Sequence, residues 1–556
     1  MYDNIMVSLY NNAGETMSNF VRGTLLLTGA SFLSKFLGMI YVIPFNALVG
    51  GQGGALYYYA YNPYTILISI STFGVPLAVS KFVSKYNSLG DYETGMRMFR
   101  YGLFVMFLTG LTAFLVLFLS AEWLANLMIH KEDQYGNTVE DVKSVIRMVS
   151  FALIIIPAMS IVRGFFQGNQ SMGPTAVSQV IEQIVRIAFV LIGVFIVIKV
   201  VGGSIATAVS FATFAAFVGA LASSVVLLVY WLKRLPYLKK QLQQQRTYYD
   251  LSKKDLFTEL FQYAGPFVLV GIAIPLYQSV DTFTFNRAMV AIGLGDISEF
   301  ALSAINLYGH KLVIIPVTLA TGLSLAIIPV LTESFTRNNR EKLFEQINQA
   351  LQIIIVLVVP AVVGLSVLSD VAYASFYGFE QYELTSNLLG WYAPVALFFA
   401  LFTVTAAILQ GINEQRFSVI SLGVGFLIKA LFNIMLIHTF GAKGAIIATG
   451  IAVLTAVCLN LWRIKRAVSF SYKQTYKRFL LVLIFSLIMF VTIIIMKWLF
   501  GMVINYDESR IGAIVMLTAG VVFGGLVYLW FAYQSTLLER TFGNRVKKLE
   551  KFIRKI

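Results

Sequence analysis

Charged side chains are scarce in the apolar stretches of this chain, and most of those present are cations. Lys35 lies in SFLSKFLGMIYVIPF, Arg186 in QGNQSMGPTAVSQVIEQIVRI and Lys429 in SVISLGVGFLIKAL. Glu182 and Arg186 are four residues apart, the spacing that puts two side chains on one helical face. Asp281, in YQSVDTFTFNRAM, is a carboxylate late in another apolar run, and Lys311, in LYGHKLVIIPV, stands at the edge of a third. A cation at the middle of a membrane-spanning helix costs roughly 2.5–3.5 kcal/mol on insertion scales, so each needs a partner or a water-filled cavity.

Two readings follow from these types and spacings. In one, the charges are structural: Arg186 pairs with Glu182 one turn back, and Lys429 binds a carbonyl of a neighbouring helix. In the other, Lys35, Arg186 and Lys429 line one strongly cationic cavity that receives an anionic ligand. Lys35 has no carboxylate nearby in sequence and lies about 20 Å into its helix counted from Arg22, too deep for a lysine stem to reach the interface. Asp281 either binds a proton or Na⁺, or pairs with Arg287.

The elements that carry these residues are membrane spans. The chain is 58% hydrophobic and 12% charged, with a mean hydropathy of +0.77, against about 25% charged in soluble domains. Apolar runs long enough to cross a hydrocarbon core, which takes roughly 20 residues, predict an all-α integral membrane protein of about fourteen transmembrane helices. The first two are expected at 22–49 and 60–84, and the seventh at 260–286. Residues 1–23 lack the pattern of a signal peptide, and Met17 is an alternative start that leaves 1–16 as an N-terminal extension. Cys458 is the sole cysteine, which excludes an internal disulfide.

The net charge of +15 is concentrated in three places: residues 233–254, the loop after residue 463, and the tail at 536–556. An even number of spans puts all three on one face, and the acids Glu122, Glu132, Asp133, Glu140, Asp141, Asp370, Glu380 and Glu383 fall on the other. Excess Lys and Arg marks cytoplasmic loops, so both termini are expected in the cytoplasm and the protein in the plasma membrane. The basic loops can also bind anionic lipids. They lack the interleaved aromatics of a single-strand platform, and no nucleic acid is expected as a partner.

The chain also repeats itself. An offset of 243 pairs Gln167 with Gln410, Gly168 with Gly411, Ser178 with Ser421 and Arg186 with Lys429. An offset of 248 pairs GVPLAV at 74–79 with GLSLAI at 322–327. The expected organisation is an N-lobe of six helices (17–232), a basic linker (233–254), a C-lobe of six helices (255–466) and two further helices (467–535), with the lobes around a central cavity. Parallel repeats of this kind occur in transporters that alternate access to a central site. The glycines of LVGGQGGAL (50–54) lack the Lys-Ser/Thr that follows a phosphate loop and predict a turn or flexible gate.

Catalytic patterns are missing. His130, His310 and His438 are remote from one another, and no HExxH, Cys/His cluster or P-loop occurs. The chain is therefore not read as an enzyme, no metal or other cofactor is expected, and energy would come from Na⁺ or H⁺ coupling, the membrane potential or the substrate gradient.

The opening MSNFVRGTLLLTGASFLSKFLGMIYVIPF, the segment FGVPLAVSKFVSKYN and QGNQSMGPTAVSQVIEQIVRI resemble the MOP flippase superfamily. Within it they are most similar to the polysaccharide-transport branch, which includes stage V sporulation protein B and the Gram-positive MurJ-type lipid II flippases. The resemblance implies a flippase that moves a polyprenyl-pyrophosphate-linked cell-wall precursor, most readily lipid II, from the inner to the outer leaflet. It implies further that SKFLG brings Lys35 and YGHKL brings Lys311 to the cavity, each with lysine where the family has arginine. The last two helices would hold the lipid tail, and cell-wall synthesis proteins would be partners. The family's basic residue in span two has no counterpart in NPYTILISISTFG. On this reading Arg186 and Lys429 are lobe-related cations for the anionic head group, and Glu182 modulates Arg186. Flippases for teichoic-acid or capsule precursors share the pyrophosphate chemistry. A multidrug antiporter of the related MATE branch would favour acidic cavity residues, and a membrane-embedded glycan transferase would need catalytic acids, for which Glu132, Asp133, Glu140 and Asp141 are the candidates.

Overall fold

The computed structural model describes residues 26–27, 29–72, 75–129, 136–245 and 271–542, and these form helices joined by short turns. Twelve of the helices are long and apolar enough to cross a membrane. Large apolar side chains such as Phe32, Leu119, Trp123, Leu431, Trp498 and Ile511 stand exposed along them, far more than a water-soluble surface tolerates. The chain is a multi-pass membrane protein.

The first of these helices, α1 (Gly29–Thr72), holds 29–49 of the first predicted span and 60–72 of the second, and its backbone breaks at Gly50 (φ 65°, ψ −168°). That conformation is open essentially only to glycine. The stretch 50–54 is therefore one sharp break in an otherwise helical segment rather than a loop. The predicted seventh span begins outside the described residues, and its described part is α8 (Ala273–Ala291). Each remaining candidate helix overlaps one predicted span. The residues of the predicted extension 1–16 and most of the tail 536–556 also lie outside the described residues, and α7 (Ile205–Gln243) continues as helix through the first half of the predicted linker.

The chain divides into two compact units. The first holds residues up to Val49, Tyr59–Leu127 and Asn137–Ile272, and the second holds Gly50–Tyr58, Met128–Gly136 and the chain from Ala273 onward. In the first, Val79, Phe82 and Val83 of α2 (Val75–Ser88) pack with Phe99 and Met106 of α3 (Tyr92–Met128) and with Ile161 and Phe165 of α5 (Ala152–Gly168). Between α3 and α5, α4 (Val139–Ser150) starts from a capping box, in which the Thr138 hydroxyl accepts from the Asp141 N–H and the Asp141 carboxylate accepts from the Thr138 N–H. Lys143 bridges Glu122 (3.2 Å) and Glu140 (3.1 Å). Glu140 and Asp141, two of the candidate catalytic acids, thus serve a helix start.

In the second unit, α10 (Gly309–Thr336), α11 (Arg340–Val367), α14 (Val395–Gly411), α15 (Gln415–Phe440) and α16 (Ala442–Val468) form the bundle. The two last spans, α17 (Lys473–Gly501) and α18 (Arg510–Gln534), dock on α11 and on the short α12 (Ser369–Tyr377) through Met489, Ile493 and Met516 against Ile355, Val359 and Val371. Polar contacts secure them as well, among them the Tyr528 hydroxyl donating to the Val356 carbonyl (2.7 Å) and Lys497 pairing with Asp370 (2.6 Å).

The sequence offsets have a packing cause. A Cβ on Gly168 would stand 2.8 Å from Val83 Cβ and 2.7 Å from the Ser80 carbonyl oxygen, and one on Gly411 would stand 2.6 Å from Leu331 Cβ. Val83 and Leu331 are related by the offset of 248, as Gly168 and Gly411 are by 243. In each unit the fourth span approaches the second backbone to backbone, and only glycine allows it. Gly168→Val and Gly411→Val are each expected to destabilise the purified protein by about 1–3 kcal/mol through overpacking. Gly423→Ala, where nothing lies within 4 Å, should leave the melting temperature unchanged or raise it; a thermal melt in detergent checks all three.

Candidate functional site

In the first unit the sequence-predicted residues fall on two helices in contact, α1 and α6 (Met172–Phe195). The Ser31 hydroxyl donates to the Gln179 side chain (3.2 Å) and the Ser34 hydroxyl to the Gln179 carbonyl (3.4 Å). Gly38 leaves room for Gln183, whose amide nitrogen would lie 3.1 Å from a Cβ there. Lys35, on the same part of α1, is exposed. Arg186, one turn beyond Gln183, is half-buried with its guanidinium 5.1 Å from the centre of the Tyr61 ring, a cation–π arrangement.

Glu182 does not serve Arg186 as the four-residue spacing predicts. Its carboxylate accepts from Arg163 Nη2 at 2.7 Å, and the same guanidinium donates to Ser178 (3.0 Å) and Ser223 (2.8 Å). A planar fork with several donors can satisfy three acceptors at once, so Arg163 ties α5, α6 and α7 together. Ser421, the repeat mate of Ser178, holds the matching junction in the second unit: it donates to Asn460 (2.6 Å), which in turn donates to Thr405 (3.1 Å). Here the three-helix link is neutral.

Lys429 is also placed differently from the cavity-lining expectation. Its side chain is 0% exposed, and its ammonium donates to Asp281 Oδ2 (2.7 Å) and to the Thr449 hydroxyl (2.8 Å). Asn433 donates to Asp281 Oδ1 (3.1 Å) and Asn306 to Oδ2 (3.5 Å). Asp281 is therefore the partner of Lys429 rather than of Arg287, and a resident ammonium occupies the place proposed for a proton or Na⁺. Burial of this kind stands only when the charges are paired and their remaining valences hydrogen-bonded.

Lys311 is half-buried at the start of α10, directly after a π-helical turn (Ala304–Tyr308) that carries Asn306. Its neighbour His310 contacts the Tyr392 hydroxyl through Nδ1 (2.9 Å). Such π-turns recur at functional sites. Lys35 and Arg186 thus share one unit, while Lys311 and the closed Lys429–Asp281 pair belong to the other. Arg163, Thr449, Asn433 and Asn306 escaped the sequence reading. Arg163 could have been found, being a charge inside a predicted span; the others are uncharged and carry no pattern of their own.

What this chemistry favours is an anion: Lys35, and Arg186 over Tyr61, offer charge and hydrogen-bond donors, and the carboxylates of Asp281 and Glu182 are already engaged. The family model for polysaccharide biosynthesis protein matches residues 20–335, and the MatE model matches 268–435. The chain is 48% identical to the lipid II flippase MurJ of Bacillus subtilis (strain 168), over 95% of this chain and 98% of that one. Among solved structures, lipid II flippase MurJ in an inward closed conformation superposes with a TM-score of 0.64 at 19% identity, covering 93% of this chain and 99% of the other. An inward-facing multidrug resistance MATE family transporter of the MOP superfamily gives 0.60 at 16%, covering 78% and 98%. At these identities the solved structures establish the fold alone.

Removing one member of the buried pair strands the other charge. Asp281→Leu and Lys429→Met should each cost about 3–5 kcal/mol, and the double change Asp281→Leu/Lys429→Met should recover most of that loss. Unfolding of the four proteins, set out as a double-mutant cycle, measures the coupling.

Proposed function

Because the chain belongs to the polysaccharide biosynthesis protein family of the MOP flippase superfamily, we propose that it is a transporter, not an enzyme, that carries lipid II across the plasma membrane. The observation that carries this reading is the 48% identity to the Bacillus subtilis MurJ across nearly the full length of both chains. The embedded cations supply its chemistry. A polyprenyl-pyrophosphate head is anionic, and Lys35 on α1 with Arg186 on α6 offers it charge and donors within one unit; Lys311 is a further contact by family resemblance. Lys429 is committed to Asp281 and serves as a structural tie.

The same reading assigns the energy source. With Lys429 holding Asp281, a coupling ion at that carboxylate would first have to displace a tethered ammonium. The membrane potential needs no such site: it is worth about 2.3 kcal/mol per elementary charge per 100 mV, and an interior-negative potential drives an anionic head outward. Both termini lie in the cytoplasm, where the basic segments meet anionic lipid. The polyprenyl tail remains in the bilayer against α18, whose Leu526, Val527, Leu529, Trp530 and Tyr533 line an open apolar depression of about 600 Å³. The MatE match reflects the lobe fold shared across the superfamily, and a drug antiporter for cations is disfavoured by the sign of the embedded charges.

Depletion of the protein in its host, with complementation by wild type, Lys35→Ala, Lys35→Arg and Arg186→Ala, tests the proposal. Depletion should trap lipid II on the inner leaflet, and both alanine variants should insert yet fail to restore its exposure outside, whereas Lys35→Arg should restore it. Unchanged lipid II export on depletion would overturn the cargo.

A further inference from the structure

The glycine-rich segment after Val49 has no part in the anion chemistry, yet the second unit is built to hold it. At the break in α1 the Gly51 N–H donates to Glu380 Oε2 (3.1 Å), and the Gly50 carbonyl accepts from the Tyr308 hydroxyl (2.9 Å). Tyr308 itself is steadied by the Tyr377 hydroxyl, which donates to its carbonyl (3.0 Å). A Cβ on Gly54 would lie 2.5 Å from the Tyr308 hydroxyl oxygen, and one on Gly51 would overlap the Phe300 ring. At the far end of the segment the Tyr58 hydroxyl donates to the Gln278 carbonyl (2.9 Å) and accepts from Thr282 (3.0 Å).

Glu380 is presented with some care. It stands between α12 and α13 (Tyr382–Tyr392), flanked by two residues of left-handed backbone, Gly378 (φ 85°) and Gln381 (φ 48°). Glutamine adopts that conformation at a cost, so this turn is held for what it displays. The displayed group is a carboxylate at a helix start, where the unsatisfied N–H and the helix dipole both favour an anion. The seat beneath it is made against glycines, which interlock no side chains. At its Gly50 end the segment is joined to its seat by two directional bonds, one of them charge-assisted, besides the packing of Gly51 on Phe300 and of Gly54 on Tyr308, and the two bonds can be broken and remade as a unit.

We propose that Glu380 is a positioning residue for transport: its carboxylate latches the Gly50 break, and release of the latch frees the segment Gly50–Tyr58 from its seat on Phe300 and Tyr308. The inference rests on the transporter reading for its consequence but not for its geometry. Tyr308 belongs to the π-turn that precedes Lys311, so unlatching also disturbs the backbone that carries this cation.

Hydrogen exchange on the purified full-length protein in lipid nanodiscs, without lipid-linked substrate, reads the latch directly. In Glu380→Ala the amides of 51–58 should exchange about tenfold faster, the effect of losing one charge-assisted hydrogen bond, while those of α17 and α18 remain as in wild type. Glu380→Gln, which keeps an acceptor but not the charge, should fall between, and it carries the test if the alanine variant does not insert. Exchange at 51–58 equal to wild type in the variants would overturn the latch. In depleted cells Glu380→Ala should also lower lipid II exposure at normal protein levels; full rescue alongside faster exchange would overturn the positioning role. If depletion of the wild type leaves lipid II export untouched while exchange still rises, the cargo assignment fails and the latch stands.

Discussion

The contact between Lys429 Nζ and Asp281 Oδ2 joins two charges with almost no access to solvent. In a membrane protein an ammonium at that depth has three fates: a carboxylate, a water-filled space or neutralisation. Here it has the first, and Thr449, Asn433 and Asn306 complete the shell. The pair therefore ties α8, α15, α16 and the π-turn at one point, within helices whose other contacts are largely apolar and carry little directional information. The first unit meets the same constraint with Arg163 and Glu182, which lie on the fourth and fifth spans and recruit Ser223 from the sixth.

Answering those charges internally determines what is left for a ligand. The carboxylates of Asp281 and Glu182 are each held by an internal cation, so a cationic substrate would have to compete there with a tethered lysine or arginine. Under the proposed function an anionic one would meet Lys35, which is exposed, and Arg186, which is half-buried over Tyr61. The preference for an anion thus follows from how the acids are used as well as from the surplus of cations.

Glycine has two distinct duties in this fold. Gly168 and Gly411 bring two helices together by absence of a side chain, and their repeat relation is a packing relation. Gly50 instead supplies a backbone conformation that breaks α1 and leaves an N–H for Glu380 to hold. Removing the side chain serves rigidity in the first case and creates a releasable joint in the second.

Read as a string, the chain already determined its class and most of its spans, and it marked Glu182, Arg186, Asp281 and Lys429 as charges among apolar residues, because hydropathy is a property of local composition. It could not determine which charges meet. The four-residue rule describes neighbours on one helix, so it joined Glu182 to Arg186, whereas Arg163 on the preceding helix reaches Glu182 with a second and third acceptor in range. Asp281 and Lys429 are 148 residues apart, and no local pattern links them. Nor does a run of glycines say whether it will form a loop or a break in a helix. Those outcomes depend on what the rest of the fold places opposite each group, and in hydrocarbon, where an unanswered charge or N–H is too costly to leave, the tertiary partner decides the role of the residue.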